Sequence, residues 1–327
     1  MRVLVTGGAG FVGGGFVRWT LQHRPEAELV VLDALTYAGN RASVPAGVPF
    51  VHGDVTDAAL VGRLVDDCDV VVHFAAESHN DNALRDPAPF VTTNVVGTFT
   101  LLEAVRRSGV RLHHVTTDEV YGDLPYDSQL RFDESSAYDP SSPYSASKAG
   151  SDLLVRAWVR SYGVAATITA CSNNYGPYQH VEKLIPRQIT ALLDGGRPRL
   201  YGTGDNVRDW IHVQDHSSAV WAVLERGEPG RTYLVGADGE RSNREVVELL
   251  LELMGRPPGE YDLVPDRPGH DRRYALDSTR LRALGWEPRH ASFRDGLAET
   301  IRWYRDHESW WRPAKAATEQ RYADLGR

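Results

Sequence analysis

Two pairs of side chains in this sequence have the types and the spacing that acid–base chemistry requires. Tyr144 and Lys148 are four positions apart and follow Ser142-Pro143, a cap and first-turn pair that predicts the beginning of a helix. Residues four apart share one helix face, so the ammonium group would lie beside the phenol. With a positive nicotinamide near both groups, the phenolate would be favoured and Tyr144 could act as an acid or a base.

The second pair, Asp118-Glu119, follows Thr117 at the end of a predicted strand. A simple oxidoreductase has no use for an acid pair here. Removal of water needs a base for a carbon-bound proton and an acid for the departing hydroxyl, and two carboxyls in different environments can divide those roles. Thr117 could hold the reacting group and share a hydrogen bond with Tyr144. The same residues would also serve as a polar turn, so the residues alone leave both interpretations open.

A glycine pattern near the first residue predicts a dinucleotide site. Gly7, Gly10 and Gly13 follow the first predicted strand and precede the first predicted helix, where a pyrophosphate can approach the backbone and the helix N-terminus. Asp33 ends the second strand. A carboxylate there can bind both ribose hydroxyls and would repel a 2′-phosphate, so the pattern favours NAD over NADP. Asp54-Val55 and 75–78 end the next two strands at the same edge.

The elements that would position these residues alternate between strand and helix. Short apolar, β-branched runs predict buried strands over 2–5, 29–32, 48–51, 70–74, 112–116 and 165–170, and helical patterns cover 11–22, 58–65, 89–107 and 143–162. The expected fold is α/β, a doubly wound parallel sheet of the Rossmann type with a smaller mixed α/β lobe. We expect an NAD-binding domain over 1–172, to which 207–227 returns, and a nucleotide-sugar-binding lobe over most of 173–327.

Composition narrows the classes of partner. The net charge of −8 argues against a surface that binds nucleic acid. The chain begins with a strand rather than a leader, and no apolar run approaches membrane-spanning length, so no membrane association is expected. Cys68 and Cys171 lie in apolar or strand-like sequence and are expected to be reduced in a cytoplasmic protein. No metal site is predicted.

Beyond these features, the sequence resembles the dTDP-glucose 4,6-dehydratase family of the extended short-chain dehydrogenase/reductase superfamily, through nearly its whole length. Besides the glycine loop, Tyr144 and Lys148, the motifs that carry the resemblance are 33–40 (DALTYAGN), 75–79 (AAESH), 117–122 (TDEVYG), 171–177 (CSNNYGP), 182–186 (EKLIP), 208–210 (RDW) and 266–271 (DRPGHD).

The resemblance implies a reaction and a role for each catalytic residue. Tyr144 would deprotonate the C4 hydroxyl of the sugar while hydride leaves C4 for NAD⁺. Glu119 would then remove the C5 proton, and Asp118 would protonate the C6 hydroxyl as it departs as water. Hydride would return to C6 and a proton to C5. Thr117 and Lys148 complete the expected catalytic set.

The resemblance also implies two binding sets and a homodimer built from the helices over 89–107 and 143–162. The expected cofactor contacts are Gly7, Gly10, Phe11, Val12, Gly13, Asp33, Ala34, Leu35, Thr36, Asp54, Val55, Phe74, Ala75, Ala76, Ser78, Thr93, Tyr144, Lys148 and Asn174. The expected contacts to the substrate, dTDP-glucose, are Ser78, Thr117, Asn173, Lys183, Leu184, Arg199, Tyr201, Arg208, Asn243, Arg267 and His270.

Three positions depart from the pattern of the family. Ala34 stands where a lysine is common, Asn80-Asp81-Asn82 replaces a commoner Val-Asp-Arg, and Arg199 stands where a proline is usual near the nucleotide. Other interpretations stay open at this point: a UDP- or GDP-sugar 4,6-dehydratase, a nucleotide-sugar 4-epimerase that would not need the acid pair, or a non-catalytic NAD-binding regulator.

Overall fold

The structure, a computed structural model, describes residues 1–266, 268–290 and 292–324. Its strands are β1 (Arg2–Thr6), β2 (Glu28–Asp33), β3 (Phe50–His52), β4 (Val70–His73), β5 (Arg111–Thr117), β6 (Ala166–Cys171), β7 (Asn173–Tyr175), β8 (Arg199–Tyr201), β9 (Val207–His212), β10 (Thr232–Val235), β11 (Glu240–Ser242) and β12 (Asp262–Val264). Its α-helices are α1 (Phe11–His23), α2 (Ala58–Asp66), α3 (Asn80–Arg85), α4 (Ala88–Phe90), α5 (Thr98–Ser108), α6 (Pro143–Tyr162), α7 (Leu184–Leu193), α8 (Val213–Arg226), α9 (Asn243–Leu253), α10 (Thr279–Arg282), α11 (Phe293–Asp306) and α12 (Glu308–Asp324).

Seven parallel strands form the central sheet in the order β10-β6-β5-β4-β1-β2-β3. The predicted doubly wound α/β fold is therefore confirmed, and the six strands expected from apolar runs all belong to this sheet. The third strand begins at Phe50 rather than at 48. Proline lacks the N–H that a ladder needs, so Pro49 stands before the strand.

Helices cover both faces of the sheet. Residues Val3, Val5 and Val31 pack toward α1 and α8. Leu4 and Leu32 pack toward α2, α5 and α6 on the opposite face. Successive side chains of a strand point to opposite faces, so an unbroken apolar run is what a sheet with two covered faces requires.

The smaller lobe contains two short sheets, β11-β9-β7 and β12-β8. Its own core joins α7, α9, α11 and α12 around Trp210 and Trp311. Of the stretch 207–227, helix α8 packs against α1, whereas strand β9 pairs with β7 and β11. Strand β10 lies in the range 173–327, most of which we expect to form the second lobe, but it closes the central sheet beside β6.

A π-helical segment, Val91–Gly97, joins α4 to α5. The combined stretch Ala88–Ser108 is, by length and composition, apolar enough to cross a membrane, contrary to our expectation that no run would be. Half of it is buried inside the chain, as in the core helix of a soluble protein. We therefore interpret it as a core helix.

The packing of α1 against α8 depends on a residue without a side chain. A Cβ on Gly15 would lie 2.5 Å from Cγ2 of Val213. In contrast, a Cβ on Gly62, within α2, would meet nothing closer than the Arg107 guanidinium at 3.4 Å.

Gly15→Ala should therefore destabilise the chain, by about 1–3 kcal/mol, because overpacking outweighs the gain in helix propensity. Gly62→Ala should stabilise it by about 0.5–1 kcal/mol, since only the propensity changes. Urea unfolding would measure both free energies. In a chain that already carries Val213→Ala, Gly15→Ala should lower the free energy of unfolding much less than it does in the wild type. An equal loss in both backgrounds would contradict this account.

Candidate active site

The main cleft lies at the carboxyl edge of the central sheet, where the strand order reverses between β1 and β4. This is where open α/β sheets bind ligands. Gly7 has a φ of 71°, and a Cβ there would lie 2.6 Å from the main-chain nitrogen of Ala75. A Cβ on Gly13 would lie 2.4 Å from the carbonyl oxygen of Gly7. The loop thus approaches β4 closely and leaves the N-terminus of α1 open for a pyrophosphate.

Asp33 forms the wall of this cleft at the end of β2. Its carboxylate accepts hydrogen bonds from the main-chain N–H groups of Ala9 at 2.9 Å and Leu35 at 2.8 Å. Burial raises the pKa of Asp33, and those two N–H groups partly offset the increase. The glycine cradle and this fixed carboxylate together fit the pyrophosphate and ribose of an unphosphorylated dinucleotide.

The structure brings nearly all expected cofactor residues to this cleft. All of them except Leu35 line its wall. Leu35 has a φ of 51° and packs against the core beneath the glycine loop. Its contribution is the main-chain N–H that holds Asp33.

Tyr144 and Lys148 lie on one face of α6, as the spacing predicts. Ser142 caps this helix: its hydroxyl accepts from the main-chain N–H of Ser145 at 3.1 Å, and the Ser145 hydroxyl reciprocates in a capping box. Both Tyr144 and Lys148 are buried, and both line the cleft. The helix cap and its first-turn proline thus fix where these two side chains enter the site.

The expectation that the phenolate is favoured includes the positive charge of a nicotinamide, and the pair by itself does not favour the phenolate. Burial raises the pKa of Tyr144 well above its usual value, and the charges of Glu119 and Cys171 add to the increase. The Lys148 ammonium donates to the carbonyl oxygen of Val115 at 2.9 Å, and burial lowers its pKa. The chain alone therefore holds a neutral phenol, because desolvation outweighs the nearby ammonium.

Thr117 and the carboxyl pair follow directly after β5. The pair forms a 3₁₀ turn, Asp118–Tyr121, in which the Thr117 hydroxyl accepts from the main-chain N–H of Glu119 at 3.3 Å and donates to Asp118 Oδ1 at 3.2 Å. A hydrogen bond from Thr117 also partly offsets the raised pKa of Tyr144. Thr117 therefore connects all three groups, as its position after the strand suggested.

The two carboxyls have contrasting surroundings. Asp118 is 2% exposed, and its Oδ2 is buried with no hydrogen-bond partner in the described part of the chain. Burial raises its pKa well above the usual value, as do the charges of Glu119 and Asp209, and this shift favours the protonated form of Asp118. Glu119 is only half-buried, and its Oε2 accepts a hydrogen bond from the Asn80 amide at 2.9 Å. One acid donor and one carboxylate acceptor thus stand side by side.

A second cleft continues from the first toward the smaller lobe. Lys183 donates to the carbonyl oxygen of Ser78 at 2.8 Å, which joins the two clefts. The expected substrate residues that line this cleft are Ser78, Asn173, Lys183, Leu184, Arg199, Tyr201, Arg208, Asn243 and His270. Thr117 lines the first cleft, and Arg267 lies outside the described residues.

Several groups in the second cleft suit a phosphorylated ligand. Arg208 donates to the carbonyl oxygen of Asp271 at 2.9 Å, and its guanidinium lies 4.3 Å from the ring centre of Tyr274. Asn173 Oδ1 is buried with no hydrogen-bond partner among the described residues. A guanidinium held in this way presents its remaining N–H groups in a fixed direction, as recognition of phosphate requires.

The two clefts also contain residues that we did not predict as site residues, among them Asn80, Cys171, Arg187 and Tyr322. Tyr322 comes from α12: its hydroxyl donates to the carbonyl oxygen of Glu182 at 3.0 Å, and the Arg187 guanidinium lies 3.4 Å from its ring centre. Cys171 belongs to a motif that carried the family resemblance, and Arg187 follows another. Tyr322 has no such neighbour, and no pattern in the sequence indicates it.

Comparison with known proteins agrees with this site. Residues 4–300 match the protein-family model described as GDP-mannose 4,6-dehydratase. The chain is 63% identical to a dTDP-glucose 4,6-dehydratase of Mycobacterium tuberculosis over all of both chains, and 43% identical to dTDP-glucose 4,6-dehydratase 1 of Escherichia coli over 99% of this chain and 98% of that one.

Solved structures give the same result. A dTDP-glucose 4,6-dehydratase from Streptomyces venezuelae, with NAD bound, superimposes with a TM-score of 0.92 at 50% identity, over 96% of this chain and 100% of that chain. A UDP-glucose 4-epimerase from Thermus thermophilus, in complex with NAD, has a TM-score of 0.87 at 33% identity, over 94% of this chain and 100% of the other. The fold is thus shared with epimerases, whereas the higher identities belong to dehydratases.

The protonated state of Asp118 can be tested through stability. A carboxyl whose folded pKa lies above its unfolded value favours folding below the unfolded pKa, about 3.9, and loses that contribution as the pH rises. Asp118→Asn should therefore raise the free energy of unfolding at pH 8, by on the order of 1 kcal/mol or more, and the gain should shrink toward pH 4.

Asp215→Asn is a control of opposite sign. Burial raises the pKa of Asp215, but hydrogen bonds from His290 and from main-chain N–H groups more than offset this and lower it overall. The Asp215 carboxylate therefore adds to the free energy of unfolding above the unfolded pKa, and this contribution is lost as the pH falls. Asp215→Asn should thus destabilise the chain most at pH 8. Urea unfolding at both pH values would measure the two variants; a loss of stability at pH 8 in Asp118→Asn would mean that Asp118 is ionised.

Proposed function

The chain belongs to the dTDP-glucose 4,6-dehydratase family, and from this premise we propose that it converts dTDP-glucose into dTDP-4-keto-6-deoxyglucose and water. The observation that carries the proposal is the pair of adjacent carboxyls beside Tyr144, of which Asp118 is buried with a raised pKa and Glu119 accepts a hydrogen bond. Oxidation alone needs neither carboxyl. Elimination of water needs one acid and one base, and this pair supplies both.

The first step is oxidation at C4. Tyr144 accepts the proton of the C4 hydroxyl as the hydride leaves that carbon, and Thr117 holds the same hydroxyl. NAD, when bound, would supply a hydride acceptor and donor, and its positive charge would favour the phenolate of Tyr144. Lys148 adds a second positive charge and a donor for ribose hydroxyls.

The second step is elimination across C5 and C6. The C4 ketone makes the C5 proton acidic, and Glu119 removes it. Asp118 gives its proton to the C6 hydroxyl, which departs as water and leaves a C5–C6 double bond. Hydride then returns to C6 and a proton from Glu119 to C5. The proton that Tyr144 took from the C4 hydroxyl replaces, by way of solvent, the one that Asp118 gave to the departing water, so the atoms and electrons balance without any external oxidant.

The cofactor is NAD rather than NADP. Asp33 occupies the position where a 2′-phosphate would need room and positive charge, and its carboxylate is fixed by two main-chain N–H groups. Because the reaction returns the cofactor to its starting state, NAD stays bound between turnovers. Residues 1–172, with α8, form the domain that holds it, and most of 173–327 holds the nucleotide.

The nucleotide and its diphosphate bind in the second cleft. Arg208 and Lys183 supply positive charge to the phosphate oxygens, and Asn173 supplies an acceptor. Leu184, Arg199, Tyr201, Asn243 and His270 complete the contacts, and Arg267 remains an expectation from the resemblance. No step of this reaction places the protein outside the cytoplasm, where we propose that it acts as a soluble enzyme.

The protein acts as a homodimer formed through the helical stretch Ala88–Ser108 and α6. Five of the eleven large apolar side chains exposed on the described residues lie on these two stretches: Val91, Val96, Phe99, Leu153 and Tyr162. A solvent-exposed apolar face of this kind is typical of a surface that a second copy covers.

Isotope labels test the reaction directly. With dTDP-glucose deuterated at C4, the label should appear at C6 of the product, and in D₂O unlabelled substrate should gain deuterium at C5. Tyr144→Phe should stop the C4 oxidation, whereas Glu119→Gln should allow oxidation but stall elimination, each with a loss of about two to four orders of magnitude in rate. Mass spectrometry of the products and NADH absorbance would follow both steps.

The alternatives give different results. Loss of the C4 label to solvent, or a product that is the C4 epimer, would contradict the dehydratase assignment. Near-full dehydration by Glu119→Gln would show that another group removes the C5 proton.

The proposed dimer is tested by charge placed on the shared face. Leu153→Glu and Phe99→Glu should shift sedimentation from dimer to monomer at micromolar concentration, because a charge in an apolar interface must be desolvated. Leu130→Glu is the matched control: Leu130 is more exposed than either residue but lies in the loop between β5 and α6, and this variant should remain dimeric. Monomeric wild-type protein under the same conditions would contradict the dimer.

A further inference from the structure

The side-chain amide of Asn80 lies between two parts of the active site. Its Nδ2 donates to Glu119 Oε2 at 2.9 Å, and its Oδ1 accepts from the Ser142 hydroxyl at 2.9 Å. Ser142 is the cap of α6, the helix that carries Tyr144 and Lys148. One amide therefore connects the carboxylate base to the helix of the acid–base tyrosine.

We propose that Asn80 is a positioning residue for the elimination step, which fixes the Glu119 carboxylate for removal of the C5 proton. The proposal rests on the proposed function, because it assigns Asn80 to one step of that reaction. Asn80 supplies the only side-chain hydrogen bond to the Glu119 carboxylate within the described residues. Without this hydrogen bond, the Glu119 side chain could adopt several conformations, and only some of them would direct its carboxylate toward the sugar.

The Asn80 amide can donate to Glu119 only in this orientation. Its carbonyl oxygen is already occupied by the Ser142 hydroxyl, which in turn accepts from the main-chain N–H of Ser145 at 3.1 Å. The opposite orientation would place an oxygen against the Glu119 carboxylate, where two acceptors repel. The network thus fixes the donor toward Glu119.

The segment that carries Asn80 is itself held from several sides. Lys183 donates to the carbonyl oxygen of Ser78, at 2.8 Å. The neighbouring His79 lies with its Nε2 at 3.3 Å from the Tyr322 hydroxyl, which comes from α12. Asn80 begins α3 immediately after these contacts. A side chain anchored on a fixed segment can orient a neighbour at little cost in entropy.

The position of Asn80 is one of the departures from the family pattern, in which valine is commoner, and valine has no group that could bond to Glu119. A hydrogen bond that the reaction does not strictly require is expected to change the rate of one step rather than to abolish activity. The affected step is the one in which Glu119 takes a proton.

Asn80→Val is the direct test, with intact dimeric protein that carries its own NAD. We expect kcat to fall about tenfold while KM for dTDP-glucose changes less than about twofold, since the contact fixes a base rather than the substrate. The isotope effect of deuterium at C5 on kcat should increase, because removal of that proton becomes slower relative to other steps. In a single turnover, NADH should form at the wild-type rate and decay more slowly.

Asn80→Asp gives a second, independent readout. It keeps the shape of the side chain but places a carboxylate against Glu119, so activity should be lower than in Asn80→Val at pH 8 and should recover toward pH 6, where protonation restores a donor. Arg85→Ala, exposed at the other end of α3, is the control and should match wild type. If Asn80→Val is too unstable to purify, Asn80→Ser should show the same changes.

Two outcomes would overturn the proposal. One is a wild-type kcat and isotope effect in Asn80→Val; the other is a lower kcat with an unchanged isotope effect, which is what a purely structural role would produce. Wild-type protein that makes no dTDP-4-keto-6-deoxyglucose would instead refute the proposed function, and this result is separable because it does not involve the variants.

Discussion

Lys148 is 4% exposed, and its ammonium donates to a main-chain carbonyl of β5, at Val115. A buried charge is tolerated only where other groups compensate it. Asp152, one helical turn later, does so: its charge raises the pKa of Lys148, while burial raises its own pKa to about 6. Asp152 in turn accepts from the Tyr138 hydroxyl at 3.1 Å and lies 3.0 Å from Nε2 of His114 in β5. These partners come from β5, α6 and the loop between them, so their contacts with Lys148 and Asp152 hold α6 at a fixed position on the sheet. As a result, Tyr144 and the glycine loop face each other across the same cleft.

The sequence was sufficient for the parts of this arrangement that depend on local pattern. The six apolar strands, the four long helices and the glycine loop were found within about two residues of their observed bounds, because a buried parallel strand and a capped helix each leave a continuous signal. The strands of the smaller lobe, such as β7, β8 and β11, have three residues each, too few to show any periodicity. Strand β10 was missed for a related reason: it is four residues long and follows the short turn sequence 227–230 (GEPG), so nothing local indicates that it returns to the central sheet.

The remaining features of the site depend on contacts between residues far apart in the chain. Asn80 and Glu119 are separated by 39 positions, and His79 and Tyr322 by 243. Asn80 was noticed as a departure from the family pattern, but its role could not be inferred before its neighbours were known. The protonation of Tyr144 likewise depends on more than the spacing of residues in the sequence. The spacing of Tyr144 and Lys148 indicated an ammonium near a phenol, whereas burial, which raises the pKa of the phenol, is a property of the whole fold.

The carboxyl pair illustrates how the fold converts a shared scaffold into a particular chemistry. A solved UDP-glucose 4-epimerase has the same fold, and oxidation at C4 needs neither carboxyl. Asp118 and Glu119 are consecutive residues of a 3₁₀ turn, so their side chains leave the backbone in different directions. The first enters the interior beside β5, where burial raises its pKa and favours the protonated form. The second lies in the open part of the cleft, where an amide donates to its carboxylate. One step along the chain therefore places the acid and the base that we propose in different surroundings.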